Sequence, residues 1–496
     1  MLIAAGLIWY LRYYIKWQSK DLIYKTITSV NRNTTFKKVL FSSTILISFL
    51  LLASFIYTNV FSGDEDKDFF IKKSSFYPQL SSSDYNENIN KEFVVGAILP
   101  YTGSFSSLGK SVKVALEKAE YDVNKHFEKM NSSSSSPPHF TLLMANSKTS
   151  PEETLVAIKK LHEHGANIIV GPSIGSTVLA AKEYADANNI ILISYSSTSS
   201  SLSIEGDNLF RLVPDDTYQG KIVAERMIKD GIKVIVPIWR GGLYSNDLYK
   251  STKYYFEKLG GEVEEGINYK PYTGKFATSL HRINFLMWNQ ELEKLNALVA
   301  DAIKKYGVNS VGVYVISFDE ITPILIQSTL YENLGKVRWY GSDKIAQNHQ
   351  ITKNIDAALF AMKTHLSNPL YSIDSESKKL HDLKEVLEKQ LHEVGSITYP
   401  ALAYDSYWVA ALSLDKNNTN FNNNNNENIT KKSFKEIIRE TAESFDDGIS
   451  GKIKLNKAGD RLDGNFDFWI VAKDNDTQSY EWEKEQNFTT ESSFKR

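Results

Sequence analysis

The chain has 496 residues, 42% hydrophobic and 23% charged, which suits two or three ordinary globular domains. Its formal net charge of -2 supplies no basic face for nucleic acid. It has no cysteine, which excludes disulfides, thiolate metal sites, a cysteine nucleophile and a lipid-modified cysteine anchor.

Residues 1–38 form a basic and aromatic segment. Within it Leu2 to Trp17 is interrupted by Arg12 and Lys16, and reads as an interfacial stretch, one arm of a hairpin, or an over-extended gene start. Val39 to Phe61 follows, 23 residues without a charge. At about 1.5 Å per residue it is long enough to span a hydrocarbon core of roughly 30 Å. Lys20, Lys25, Arg32, Lys37 and Lys38 precede it, and Asp64, Glu65 and Asp66 follow, which places everything after Phe61 outside the cell membrane. No small-x-small cleavage site follows the apolar run, so a retained transmembrane helix is favoured over a signal peptide.

Residues 62–91 are polar and serine-rich, as expected of a flexible spacer. Two further low-complexity patches, Ser132 to Ser136 and Asn422 to Asn426, read as surface loops. Asn131, Asn417, Asn428, Asn475 and Asn487 begin Asn-x-Ser/Thr triplets, which chance supplies readily in a chain so rich in Asn and Ser.

From Phe93 the pattern becomes regular. FVVGAILP predicts a buried strand, and Gly109 to Phe127 a helix burying Val112, Leu116, Ala119, Val123 and Phe127 at helical spacing. FTLLMA predicts the next strand. Ser150, Pro151 and Glu153 then predict a capping box opening a helix. NIIVG, a helix over Ser176 to Asn188, and IILIS continue the alternation. A second run starts near Asp216 with IKVIVPI, a helix over Leu248 to Leu259, NSVGVYVIS, another helix and VRWYG. Strand-helix alternation implies parallel sheets covered on both faces, and two such runs imply two lobes with a ligand cleft at the strand carboxyl ends.

Catalytic signatures are missing. The chain has no GxGxxG after a strand, no phosphate loop, no G-x-S-x-G elbow and no HExxH. His162 and His164 point to different sides of a helix, and Asp216 reads as the cap of a helix beginning near Tyr218. The expectation is a protein that is not an enzyme and carries no cofactor or metal. Two hydroxyl-rich turns do stand out at successive strand ends, GPSIGST over Gly171 to Thr177 and SYSSTSSS over Ser194 to Ser201. Each is capable of capping or of holding a carboxylate, and their recurrence in one lobe favours binding.

These residues carry a resemblance. VGAILPYTGSFSSLG, the Gly-Pro of GPSIGST, ISYSSTS, the D-x-x-Q-G of Asp216, Gln219 and Gly220, RWYGSDK and GKIKLNKAGDRLDGNFDFWIV resemble, in this order, the leucine/isoleucine/valine-binding protein family over about residues 93–475. The resemblance implies an α/β protein of two Rossmann-like lobes, parallel sheets flanked by helices, joined by a three-segment hinge. It places 92–213 and 365–446 in lobe 1, 214–364 and 447–475 in lobe 2, and 476–496 in a polar tail. It also implies crossings near Pro214, Lys363 to His365, and Asp447.

For the site it implies Ser176, Ser196 and Thr198 on a ligand's carboxylate, with the usual family serine falling on Gly175. Asp343 would hold the ligand's ammonium, Tyr244 would close over it, and Phe318 would be a second aromatic. Leu108 stands where some members have an aromatic residue. The function implied is an extracytoplasmic solute-binding protein that closes on an amino acid by hinge bending and delivers it to an ABC permease. A sensory ectodomain for the same ligand class is the alternative, as is a binder of urea, amides or short carboxylates. The chain ends soon after the domain with no second span, which favours transport.

Overall fold

In the computed structural model, described over residues 69–73, 92–130, 137–270, 288–373, 377–391, 394–422, 432–462 and 464–489, the alternation read from sequence becomes two parallel sheets. The first lobe runs β1 (Glu92–Leu99), α1 (Ser106–Met130), β2 (His139–Asn146), α2 (Pro151–Glu163), β3 (Ile168–Val170), α3 (Gly175–Ala187), β4 (Ile191–Ser194) and β5 (Leu209–Arg211). Its strands lie in the order β2-β1-β3-β4-β5, every neighbouring pair parallel. The strand order reverses between β1 and β3, and at such a switch point the loops leaving the strands part to form a crevice.

Local chemistry accounts for these elements. β3 and β4 are buried along their whole length and are apolar apart from Ser194, as strands covered on both faces must be. α1 buries Leu108, Val112, Leu116, Ala119, Val123 and Phe127, the stripe expected from the spacing. Ser150 caps α2 by accepting from the Glu153 N–H, with Pro151 at the first position. The predicted capping box is half formed, because the Glu153 carboxylate pairs with Lys148 while the Ser150 N–H donates to Ser147 O.

The second lobe follows with α4 (Asp216–Lys229), β6 (Val234–Arg240), α5 (Leu243–Lys258), β7 (Glu262–Val263), β8 (Ile267–Tyr269), α6 (Asn289–Tyr306), β9 (Val311–Ile316), α7 (Ile321–Ser328), β10 (Arg338–Tyr340), α8 (His349–Lys353) and α9 (Ile355–Lys363). The sheet order is β10-β9-β6-β7, with β8 also on β6. Pro237 explains why two short strands flank β6 where one would be expected. It has no N–H to donate, and the ladder to β7 ends at Ile235 and resumes on β8 at Ile238.

The remaining elements are β11 (Asn368–Tyr371), α10 (Lys378–Leu391), α11 (Thr398–Asn422), α12 (Phe434–Glu443), β12 (Phe466–Lys473) and β13 (Tyr480–Thr489). Residues 364–367 stay beside β10, where Trp339 N–H donates to Thr364 O and Gly341 N–H to Ser367 O, each at 2.9 Å. α11 returns to the first lobe, burying Tyr404, Tyr407 and Val409 against the cluster that contains Val112 and Leu116. Residues 449–461, expected in the second lobe, are bonded to the first. Ile449 and Ser450 N–H donate to Asp405, Arg461 N–H donates to Arg211 O, and the Arg211 and Asp460 side chains form a buried pair at 2.5 Å.

Within the stretch 476–496, expected as a polar tail, Tyr480–Thr489 instead forms β13, an antiparallel edge to β12 through Tyr480 and Trp482. Its Glu485 is held by both guanidinium nitrogens of Arg226 and by His365. The segments 1–38 and 39–61, most of the spacer 62–91, Ser132 to Ser136, and Asn423 to Asn426 lie outside the described residues. Among the described residues no helix is long and apolar enough to cross a membrane.

Candidate functional site

The loops leaving β3 and β4 form the first wall. Gly171 has φ of +96°, and a Cβ there would lie 2.5 Å from Ile98 O, so only glycine lets this turn pass the end of β1. Two hydroxyls then tie the loops together: Ser194 donates to Pro172 O at 2.6 Å and Ser196 to Ser173 O at 2.7 Å. Ser196 therefore faces its neighbouring loop with its hydroxyl already committed. Ser176 sits half-buried in the first turn of α3. Thr198 is buried, and the hydroxyls of Ser197, Thr198 and Ser199 complete no hydrogen bond of good geometry.

Gly175 has a steric explanation. A Cβ on it would meet Ser199 Oγ at 2.2 Å. The hydroxyl that the resemblance places on Gly175 is thus brought to the same spot by Ser199 from the next loop. Sequence reasoning named the loop but not this residue, because only the folding of one loop over another makes the two positions equivalent.

The second wall is built around Asp343. Tyr244 donates to its Oδ1 at 2.6 Å, Tyr399 donates to Oδ2, and its own N–H donates to Gln219 Oε1 at 3.0 Å. Lys344 Nζ lies 2.8 Å from Oδ2 and donates to Ser196 O of the other lobe at 2.9 Å. The same ammonium stands 3.9 Å from the Tyr399 ring centre and 5.5 Å from that of Tyr244. Burial would raise the Asp343 carboxyl, but Lys344 and the two tyrosine hydroxyls outweigh it and hold the group below the usual carboxylate range. Lys344 and Tyr399 were not among the expected site residues.

Phe318 is stacked between Phe105, at 4.8 Å, and Tyr244, at 5.6 Å, with the Arg240 guanidinium 4.7 Å from its ring centre. It joins the lobes edge to edge. Beside it Ser107 donates to both oxygens of Asp319, at 2.9 and 3.0 Å. Behind them lies a cavity of about 60 Å³ whose walls include Leu108, Ser111, Asp319, Lys344, Asn348 and Tyr399.

Asp216 differs from expectation. The cap of α4 is Asp215, whose carboxylate accepts from Thr217 N–H at 2.7 Å. Asp216 is the first residue of the helix, its N–H donating to Thr198 O at 2.6 Å across the lobes. Its side chain is fully buried, and neither carboxylate oxygen completes a hydrogen bond of good geometry, although the Thr198 hydroxyl lies close enough to favour the ionised form. Burial, and then the charge of Asp343, push its pKa well above the ordinary range. A buried acid of this kind calls for a partner that is a cation or a hydrogen-bond donor. Among the described residues no group of acidic and histidine side chains is arranged to hold a metal. What the two walls present together is hydroxyls, aromatic faces and a buried acid beside the Thr198 hydroxyl, a set chemically capable of holding a small polar molecule.

A family model described as the receptor family ligand binding region matches residues 125–474. The chain is 24% identical to an uncharacterized protein of Methanocaldococcus jannaschii, over 79% of this chain and 89% of that one. Among solved structures it resembles a leucine-binding protein of Thermotoga maritima (17% identity, 79% of this chain and 97% of that one, TM-score 0.57). It also resembles a branched-chain amino acid transporter substrate-binding protein of Streptococcus pneumoniae in complex with isoleucine (17% identity, 80% and 100% coverage, TM-score 0.55). A third is a solute-binding protein of an ABC transporter from Rhodopseudomonas palustris in complex with 3,4-dihydroxybenzoic acid (17% identity, 79% and 95% coverage, TM-score 0.58). The two-lobed α/β architecture and the match over most of the chain agree: this protein belongs to the receptor ligand-binding-region family and has the type I periplasmic binding fold.

Proposed function

We propose that this protein captures a small zwitterion between its lobes by hinge closure and passes it to an ABC permease. One observation carries the reading. Buried polar groups that complete no hydrogen bond of good geometry face one another across the lobes, Thr198 and Ser199 from the first and Asp216, beside the Thr198 hydroxyl, from the second. Groups left unpaired in a desolvated cleft cost about 1–3 kcal/mol each, so the site is completed by a molecule that bonds to both walls. A molecule that does so stabilises only the closed form and shifts the population toward it.

An amino acid fits the arrangement. The hydroxyls of Thr198 and Ser199 and the first turn of α3, with Ser176, suit its carboxylate. Asp216 suits its ammonium, since Asp343 is already served by Lys344. Binding proceeds without a covalent step. Urea, amides and short carboxylates use part of the same set, and the relative bound to 3,4-dihydroxybenzoic acid makes the carboxylates a necessary comparison. A sensory ectodomain is the second reading, favoured by the match to a receptor family. Neighbouring genes for permease and ATPase subunits would decide for transport.

The test is unfolding of the protein, followed by tryptophan fluorescence, against amino acids, amides and carboxylates. A true ligand at 100 times its Kd raises stability by about 2.7 kcal/mol. A screen in which no member of these classes shifts the transition sinks the reading. The domain is proposed to lie outside the cell, tethered through residues 39–61. Protease added to intact cells should remove the mass after residue 61, and full protection would reverse the topology.

A further inference from the structure

Lys344 is the cleft's least expected feature, since a cation is buried where recognition of a cation was foreseen. Its side chain is 1% exposed and that of Asp343 2%. The two residues are adjacent in sequence, and the turn after β10 folds the lysine stem back so that its ammonium reaches the neighbouring carboxylate. Asp343 then has three side-chain donors, Tyr244, Tyr399 and Lys344. A carboxylate offers about four acceptor positions, so little remains for a further donor, and a second ammonium there would face the first in a buried site where charges are weakly screened.

The same ammonium also joins the lobes. Asp343 belongs to the second lobe, Ser196 O to the loop after β4, and Tyr399 to the start of α11, whose body packs on the first. We propose that Lys344 is a resident counterion standing in for a ligand's ammonium: it withdraws Asp343 from ligand recognition and, alongside the contacts of Ser107 with Asp319 and of Asp216 with Thr198, bridges the lobes before a ligand is present. This deepens the binding reading above and rests on it for the identity of the cleft. Two consequences follow. The protein closes in part before any ligand arrives, and the choice between ligands with and without an amine falls to Asp216. A site with Asp216, Asp343 and no lysine would place two buried acids around one ammonium. With Lys344 present, one acid remains to be matched.

The chain contains no cysteine, so a pair can be introduced for spin labels without background. Leu179→Cys in α3 and Leu330→Cys after α7 lie at exposed positions in different lobes. Pulsed electron resonance on the full chain in detergent, without ligand, should show mainly the shorter interlobe distance. Lys344→Ala should shift the distribution to longer distances, and n-propylammonium, which refills the space with a cation, should restore the shorter one. Lys344→Met keeps the apolar stem and fills that space. It should open the lobes equally and not respond to n-propylammonium. Distances unchanged in both variants, or an equal response to n-propylammonium in the unsubstituted protein, would overturn the proposal.

A calorimetric comparison of L-leucine with 4-methylpentanoate, the same acid without its amine, gives a second readout. Lys344→Ala frees Asp343 and should raise the preference for leucine about tenfold or more, and an unchanged ratio counts against the withdrawal of Asp343. If neither compound, nor any other in the screen, binds any form, the solute-binding reading falls, while the distances still decide the bridge.

Discussion

Gly175 and Ser199 compete for one volume, and this makes a sharp test of how the first wall is built. Gly175→Ser should be destabilising by about 1–3 kcal/mol, because its Cβ would have to displace the Ser199 hydroxyl from 2.2 Å. Adding Ser199→Gly should recover most of that loss in thermal unfolding and retain ligand binding, since the hydroxyl then arrives from the other side. A double variant no more stable than Gly175→Ser would show that the two positions are not interchangeable. Asp343→Asn should lower stability by about 3 kcal/mol, as expected when a buried ion pair loses one partner and Lys344 is left with a carbonyl and an aromatic face. Asp216→Asn should act oppositely. A buried acid whose folded pKa is raised costs nothing below its unfolded pKa, where both states are protonated, and stability is lost as pH rises toward the folded value. The variant should therefore be more stable than the parent at pH 7 and equal to it near pH 3, while binding an amine-bearing ligand at least tenfold more weakly. A parent protein whose stability relative to the variant does not change with pH would mean that Asp216 keeps an ordinary carboxyl.

At the scale of elements, β13 is the clearest departure from expectation. YEWEKEQ places charges at most positions and offers little alternation of apolar and polar residues. The strand is secured by contacts remote in sequence: Trp482 Nε1 donates to Asn348 O, and Glu485 enters a pocket made by Arg226, His365 and Ser367. Burial opposes the charge of Glu485, but His365 and Arg226 hold its carboxyl far below the usual range. Stability from this group is present above pH 4.5, its ordinary value, and is lost as pH falls. Glu485→Gln should lower stability at neutral pH by about 3 kcal/mol and by progressively less toward pH 3 in acid titrations. A penalty constant across that range would place the role of Glu485 in shape and not in charge. The start of α4 teaches a related lesson. Either aspartate of the pair 215–216 could cap the helix by composition, and a shift of one residue decides which carboxylate bonds to the backbone and which turns into the cleft.

For the whole molecule the proposed working property is closure, and the rim is expected to respond to pH. Asp319 lies between the lobes, bonded to Ser107 at the start of α1 and to Asn348. Burial, and to a lesser extent neighbouring Glu320, push its carboxyl up to about 6, against the lowering effect of Ser107 and Asn348. Lys344 and His349 line the same cavity, so its surroundings carry charge of both signs. The closed form thus binds a proton that an open, hydrated Asp319 releases at an ordinary carboxyl value. Closure is favoured below the ordinary value and loses that advantage as pH rises through about 6. Interlobe distances in spin-labelled protein should shift toward the closed population between pH 7.5 and 5, and Asp319→Asn should flatten the profile. An unchanged profile in Asp319→Asn would assign the response to another group.

Much of this was legible before folding. Continuous apolar runs such as NIIV and IILI mark strands covered on both faces, helical spacing marks the stripe of α1, and turn chemistry after β3 and β4 marks the mouth of a cleft. These signals are local: they depend on residues a few positions apart, whose periodicity is set by backbone geometry. Ser176, Ser196, Thr198, Tyr244, Phe318 and Asp343 were implied by the family resemblance, whose motifs fall on those strand ends and turns. What each one touches was decided only by tertiary structure. Ser196 spends its hydroxyl on a neighbouring loop, Ser199 fills the space above Gly175, and Lys344 folds back to Asp343 while reaching a carbonyl 148 positions away. Such pairings depend on where two lobes meet, and no spacing along the chain encodes the meeting of groups so far apart. The sequence by itself determined the lobes and the place of the cleft, through local periodicity. The charge balance inside that cleft arises from desolvation and long-range contact, which exist only once the chain is folded and closed.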